Sequence, residues 1–75
     1  MSEGVKDAIL AHADLTKAIL TFINAKNARV DVATLVDANL TKAMFPNASF
    51  IASNLTNAIL NEANFSESTF TPMKI

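Results

Sequence analysis

Apolar residues recur at two positions in every five along this chain, in a register that holds from Glu3 to Pro72. Written in blocks of five from Glu3, almost every block has a small residue first and a large apolar residue at its centre. The first residue is Ala ten times and Ser twice. Thirteen of the fourteen centres are bulky and apolar, and these are Val5, Leu10, Leu15, Leu20, Val30, Leu35, Leu40, Phe45, Phe50, Leu55, Leu60, Phe65 and Phe70.

This spacing excludes the two common regular structures. An amphipathic helix repeats its apolar residues at intervals of three and four, whereas here the intervals are two and three. A strand with one buried face needs a period of two. A chain that turns a corner every five residues fits, with the first and central residue of each block pointing inward and the other three pointing outward. In one block the large residue comes first and the small one is central, at Ile23 and Ala25. This exchange keeps about the same volume, so it predicts a repacked block.

Three blocks carry a recognisable motif, an Ala followed by Asp or Asn and a large apolar centre. They are Ala13-Asp14-Leu15-Thr16-Lys17, Ala38-Asn39-Leu40-Thr41-Lys42 and Ala63-Asn64-Phe65-Ser66-Glu67. The pattern resembles the pentapeptide-repeat family, whose motif is A(D/N)LXX, over nearly the whole chain. The resemblance implies an all-β fold, a right-handed quadrilateral β-helix with 20 residues per coil, or about 3.5 coils here. We expect a single domain over residues 3–72, followed by a short C-terminal end at 73–75.

A 20-residue coil places residues 20 apart above one another, which gives pairs that a structure can check. Two opposite-charge pairs result, Lys17 with Asp37 and Lys42 with Glu62. Phe22 lies below Lys42, where a cation–π contact can form. Among the centres, Phe45 stacks on Phe65 and Phe50 on Phe70, while the leucines form columns.

Composition and charge add little chemistry. The chain has six Lys and Arg residues and seven Asp and Glu residues, with no Cys and one His. Twelve of the thirteen charged residues occupy outward positions and are dispersed. We therefore expect no catalytic, cofactor-binding or metal site, no direct nucleic-acid binding and no membrane span. A cytoplasmic location is the default, since residues 1–4 do not read as a signal peptide.

Three outward groups have both a functional and an ordinary interpretation. His12 would be a metal ligand or base, but its expected neighbours Val32 and Ala52 can neither ligate nor orient it. Thr16 and Thr56 flank Val36, too few for an ice-binding array. The outward Asn residues are expected to serve turns and ladders rather than a sugar site, and these are Asn24, Asn39, Asn54 and Asn64.

The outward residues are most apolar on the second of the four faces. We predict a protein interface there, made by Ile9, Ala11, Val32, Ile51 and Ala52. The opposite, fourth face adds Ile19, Phe22 and Ile59. The ends of the stack look weakly protected, with Pro72 at one and Glu3, Lys6 and Asp7 at the other, so we expect another copy or a larger partner to cover at least one end.

These features favour a non-catalytic structural or protein-interaction module, a short rigid spacer that docks onto another copy or a larger assembly. The alternative comes from the resemblance alone. Some pentapeptide-repeat proteins mimic duplex DNA and modulate the type II topoisomerase DNA gyrase, an activity associated with a long acidic rod and a C-terminal helix. Here the net charge is −1, and Asn27 and Asn47 separate Asp7 from Glu67 on their face.

Overall fold

The computed structural model describes residues 4–70, and these residues contain no helix. Their regular structure consists of isolated parallel β-bridges, each one residue long, joining a residue to the one 20 positions further on. The bridges fall into four columns: Ile9–Arg29–Ser49–Thr69, Asp14–Thr34–Asn54, Ile19–Asn39–Ile59 and Asn24–Met44–Asn64. The predicted stacking of residues 20 apart is therefore confirmed.

The chain divides into layers that are joined by backbone hydrogen bonds. Layer 1 comprises residues 4–22, layer 2 residues 23–42, layer 3 residues 43–62, and the partial layer 4 residues 63–70. Three bonds per repeat connect neighbouring layers, as where Leu10 N donates to Arg29 O at 2.7 Å, His12 N to Asp31 O at 3.0 Å and Arg29 N to Ala8 O at 2.9 Å. Each block thus contributes a short ladder in place of a long strand.

A tight turn follows each block centre. In a typical turn Ala13 N donates to Leu10 O at 3.1 Å, and His12, the third residue of the turn, has a φ of 65°. Positive φ at that position alone matches a type II turn. The outward Asx residue before the centre also supports its turn: Asn39 Oδ1 accepts from Thr41 N at 3.1 Å and from Thr41 Oγ1 at 2.7 Å.

The inward side chains form one core that is sealed in the middle layers. Its fully buried members are Ala25, Ala28, Val30, Ala33, Leu35, Ala38, Leu40, Ala43, Phe45, Ala48, Phe50, Ser53 and Leu55. The hydroxyl of Ser53 is satisfied by donating to Phe50 O at 2.8 Å. Ile23 packs half-buried against this core and Ala25 lies within it, so both residues of the exchanged block point inward.

Phenylalanines stack through the upper half of the core. The rings of Phe45 and Phe65 lie 5.7 Å apart and nearly parallel, and those of Phe50 and Phe70 lie 4.9 Å apart. Neighbouring columns meet edge to face, as in the 5.1 Å contact of Phe45 with Phe50. Both predicted stacking pairs are confirmed, and the geometry is one that aromatic rings prefer.

The predicted charge pairs are only partly realised. Lys42 Nζ lies 3.8 Å from Glu62 Oε1 and 5.4 Å from the centre of the Phe22 ring. Lys17 and Asp37 share a turn position one layer apart but form no ion pair with each other. The expectations for Glu3, for Pro72 and for the end at residues 73–75 lie outside the described residues. No helix among residues 4–70 is long and apolar enough to cross a membrane.

Candidate protein-interaction surface

The five residues predicted as an interface lie exposed on one side of the stack. Their large members are Ile9, exposed by 79%, Val32 by 50% and Ile51 by 40%, each in a different layer. Ala11 and Ala52 are also exposed. The β-bridge column from Ile9 to Thr69 runs through this second face. The structure therefore places the predicted residues on a common face that solvent reaches, while their role in binding stays a prediction.

A polar cluster crosses the centre of the second face. Asp31 Oδ1 accepts a hydrogen bond from Ser49 Oγ at 2.5 Å and one from Ile51 N at 2.9 Å. The guanidinium Nε of Arg29 lies 3.8 Å from Asp31 Oδ2. The Ser49 hydroxyl is the main cause that holds the pKa of Asp31 below its ordinary value, against an opposing effect of desolvation. The apolar residues thus surround a fixed carboxylate instead of forming one continuous patch.

The fourth face exposes apolar side chains to a similar extent. Ile19 is exposed by 79%, Phe22 by 68% and Ile59 by 46%. Asn39 separates Ile19 from Ile59 in their bridge column, and Lys42 covers one side of the Phe22 ring. Their outward registers could be read from the sequence. The predicted interface omits these three residues because it was chosen by the overall apolar content of each face. That content does not show how far each individual side chain is exposed.

Two edges of the stack have backbone groups without partners among residues 4–70. On the lower edge, the N–H groups of Ile9, Asp14 and Ile19 meet no acceptor, although the equivalent groups of layer 2 all donate downward. On the upper edge, the N–H groups that would donate to a further layer have none within the described residues. They are those of Ala52, Leu55, Asn57, Leu60, Glu62, Phe65, Glu67 and Phe70.

The core is also open at both edges. Its lower half-buried side chains are those of Val5, Leu10, Leu15 and Leu20, and its upper ones include Leu60, Phe65 and Phe70. Apolar surface and unpaired strand edges occur together there. That combination favours pairing with further β structure.

The structure places the remaining candidates at turns of the stack. His12 is exposed at a turn corner, in the column of Val32 and Ala52. Asn54 and Asn64, like Asn39, each accept from the backbone N–H two residues later, at 3.1 and 2.9 Å, as predicted for turn residues. Within residues 4–70 there is neither a detectable pocket nor a group of three His, Asp or Glu side chains placed to hold a metal ion.

Residues 4–70 thus define a protein built from stacked five-residue repeats, with inward Ala or Ser and Leu or Phe and outward-facing turns. A family model described as Pentapeptide repeats matches residues 33–71 with eight copies of the repeat. The chain belongs to the pentapeptide-repeat family. Members of this family are generally non-enzymatic repeat modules, and they generally form a right-handed quadrilateral β-helix. A search of curated proteins found no match.

Proposed function

We propose that this protein is a non-catalytic interaction module, a short rigid β-helix that docks onto another copy or a larger protein assembly. The observation that carries the proposal is the set of large apolar side chains held exposed on a backbone tied together by interlayer hydrogen bonds. Such a surface loses little conformational entropy on binding, because its backbone is already ordered.

The finer fold is part of the same proposal. Four bridge columns and a 20-residue spacing support the quadrilateral, right-handed β-helix that the family generally forms. An experimental structure tests it directly. A left-handed path between layers would contradict the proposed fold.

The second face is the proposed binding surface, with Ile9, Ala11, Val32, Ile51 and Ala52 in contact with the partner. Its centre offers an oriented carboxylate at Asp31, so we expect a partner that pairs apolar groups with a hydrogen-bond donor or a cation. Aromatic and Arg side chains supply both and are frequent in interfaces.

The test compares matched turn positions on two faces. Ile51→Gln changes the second face, and Val36→Gln changes the corresponding first turn residue of the third face. Tagged versions of both variants and of the parent chain are used to capture proteins from the native source, with captured proteins quantified by mass spectrometry. We expect a defined partner to be depleted by Ile51→Gln and retained by Val36→Gln. Equal capture by all three chains would contradict the second face as the binding surface.

The alternative function, modulation of DNA gyrase by mimicry of duplex DNA, requires a continuous acidic surface. The face that carries Asp7 places the neutral amide of Asn27 directly beside it, with Asn27 Nδ2 donating to Asp7 Oδ1 at 3.0 Å. This arrangement interrupts the line of charge, so we favour the interaction module. A supercoiling assay with purified gyrase decides between them, and inhibition at stoichiometric concentrations would favour the alternative.

A further inference from the structure

We propose that two copies of this chain associate side by side through their fourth faces, with the two stacks parallel and a two-fold axis running along them. The middle of this face is the bridge column of Ile19, Asn39 and Ile59. The contact lies outside the surface of the proposed function, which assigns a partner to the second face. Its support is the placement of charged and apolar side chains on the fourth face and at its two corners.

Each corner of the fourth face is a column of exposed turn residues, one from each of layers 1, 2 and 3. The leading corner, which precedes the face along the chain, consists of Lys17, Asp37 and Asn57. The trailing corner, which follows the face, consists of Phe22, Lys42 and Glu62. All six residues have a positive φ, so the geometry of each corner repeats from layer to layer.

The two-fold axis brings the apolar residues of the face together. Each layer of one copy faces the same layer of the other, so Ile19 meets Ile19 and Ile59 meets Ile59. Ile19 is exposed by 79% and Ile59 by 46% in the single chain. Asn39, between them, is uncharged and faces its own counterpart. Burial of the isoleucines removes apolar surface from water, which drives the association.

The same axis sets the leading corner of each copy against the trailing corner of the other. Asp37 then meets Lys42, and within residues 4–70 Asp37 has no ion-pair partner of its own. Because the axis repeats every contact, the dimer contains this ion pair twice. The remaining corner contacts are a cation–π pair and a pair of polar side chains. They are Lys17 with Phe22 and Asn57 with Glu62.

Shifted arrangements of the same two faces are less favourable. Sliding one copy by a layer sets Lys17 against Lys42 and Asp37 against Glu62, so like charges meet at both contacts. Antiparallel stacks centred on layer 2 set Asp37 against Asp37 and Lys42 against Lys42. Antiparallel stacks centred between two layers avoid like charges, but only two layers overlap and an isoleucine faces Asn39. The parallel arrangement overlaps three layers and pairs isoleucine with isoleucine.

Among residues 4–70, the fourth face alone can pair with itself in this way without bringing like charges together. On the first face the same axis sets Glu62 against Glu67 at the corners. On the second it sets Arg29 against Arg29, and on the third Asp14 against Asp14, each in the middle of the face. Like charges that meet at a contact oppose association. The distribution of charge therefore selects the fourth face for self-association.

The contact is small, so the dimer should be weak. Three layers at a spacing of about 4.8 Å give a face well below the roughly 800 Å² per partner of a standard interface. Both copies use the same surface, so the contact closes at two copies. Sedimentation equilibrium of the purified chain, at concentrations up to about 1 mM, should show a monomer–dimer equilibrium that high salt weakens. A monomer at every concentration would overturn the proposal.

Charge reversal at the corners tests the contact between Asp37 and Lys42. Asp37→Lys brings two ammonium groups together and Lys42→Asp brings two carboxylates together, so each variant alone should associate about tenfold more weakly than the parent chain. The matched control is Lys26→Asp, which makes the same change in layer 2 at an exposed turn between the first and second faces. It should associate like the parent. Circular dichroism of each variant verifies that the fold is retained.

An equimolar mixture of Asp37→Lys and Lys42→Asp separates this arrangement from the shifted ones. In a mixed dimer the introduced ammonium faces the introduced carboxylate, and the unchanged Lys42 and Asp37 face each other. We expect the mixture to associate like the parent chain. In none of the shifted arrangements does Asp37 face Lys42, so a mixture without rescue would overturn the parallel dimer. Single variants that associate normally would do the same.

Crosslinking tests the position of the axis, and the chain contains no Cys that would interfere. Ile59→Cys places one thiol of each copy beside the axis, so a short bismaleimide should join two identical chains. Thr34→Cys, at a bridge position of the third face, is the control and should crosslink only at the background level. Ile59→Cys chains that join Asn39→Cys chains in preference to each other would indicate antiparallel stacks and overturn the arrangement.

The proposed function and this dimer fail in different ways. If the chain is monomeric throughout but Ile51→Gln loses a captured partner, the second-face module stands and the dimer is wrong. If the charge variants act as expected and neither Gln variant alters capture, the dimer stands and the second-face partner is wrong. If Ile51→Gln abolishes a self-association that the charge variants leave unchanged, copies meet through the second face, and the fourth-face dimer is wrong.

Discussion

At the scale of single residues, the most demanding position is the one two places after each block centre. Thirteen residues other than glycine, from Asp7 to Glu67, adopt φ between 57° and 65° there. This left-handed region costs about 1–2 kcal/mol for most residues, and Asn, Asp and Gly tolerate it best. The position is Asn at three of these turns, but it is Val at one and Phe at another. The interlayer hydrogen bonds therefore hold some turn residues at a positive φ that their side chains disfavour.

The clearest case is Val32, a β-branched residue with a φ of 57°. We expect Val32→Asn to raise the free energy of unfolding by about 1 kcal/mol, because the strain is relieved while the exposed side chain loses little packing. Urea denaturation followed by circular dichroism measures the change. Thr34→Asn, at a bridge residue of the same layer, serves as the control and should not stabilise. A Val32→Asn chain no more stable than its parent would show that the turn is not strained.

A second residue-scale prediction concerns the carboxylate of Asp31. Its side chain is only 19% exposed and accepts from Ser49 Oγ and Ile51 N, so Asp31→Ala should lower the free energy of unfolding by about 1–2 kcal/mol at pH 7. The folded-state pKa of Asp31 is lowered, mainly by the Ser49 hydroxyl. Its stabilisation is therefore complete above the unfolded pKa of about 4 and is lost as pH falls through the lower folded value.

The measurement for Asp31 is a series of urea denaturations from pH 7 to pH 3 on the parent chain and the Asp31→Ala variant. We expect the difference between the two chains to shrink below pH 4. Asp31→Asn is the control, since it can still accept both hydrogen bonds but does not titrate. A difference that stays constant with pH would show that ionisation of Asp31 contributes nothing.

At the scale of the five-residue repeat, the division of inward positions into small and large residues decides the packing. The first residue of a block is usually small, and Ala28, Ala38 and Ala43 are all fully buried there. The central residue fills the interior, as Leu35 and Phe50 do. Because protein interiors are close-packed, the two positions are not interchangeable unless both change together, as at Ile23 and Ala25.

One substitution made at two positions of the repeat tests this division. Ala38→Val adds two methyl groups to a fully buried site, so overpacking should lower the free energy of unfolding by about 1–3 kcal/mol. Ala11→Val makes the same change at an exposed turn position and should alter the free energy of unfolding by less than about 0.5 kcal/mol. Urea denaturation of both variants provides the comparison. Equal effects would mean that the inward register is less tightly packed than the structure indicates.

The repeat could be predicted from the sequence further than the surface could. Five-residue spacing of Ala and large apolar residues predicts both the inward register and the phenylalanine stacks, because a core is specified by volume and period. The strain at the Val32 turn could not be predicted from the sequence, because outward positions accept many residue types. The Asp31 cluster was missed for a different reason. It joins Asp31 to Ser49, 18 residues away, and only the stacked layers bring those side chains together.

At the scale of the whole molecule, each layer bonds only to the layers next to it. Layer 2 donates to layers 1 and 3, and no backbone hydrogen bond among residues 4–70 skips a layer. Stability should therefore be approximately a sum over layers and their interfaces. The sealed core occupies the middle of the stack, while the inward side chains of layer 1 and of residues 58–70 are at most half-buried. The stabilisation lost because these edge side chains stay half-buried is therefore a large part of the total in so short a stack.

Adding one complete layer should offset that loss. A tandem duplication of residues 43–62 inserts 20 residues, places Phe45 and Phe50 over their own copies, and adds a second sealed interior layer. We expect a higher urea midpoint and a larger m-value, because more apolar surface becomes buried. Duplicating residues 43–60 adds nearly the same composition but shifts every later block by two positions, which places Glu62 and Glu67 at central, inward positions. That control should be less stable than the parent chain. If both duplications had the same effect, the stability of the stack would not depend on the 20-residue register, and the layer-by-layer account of the molecule would be wrong.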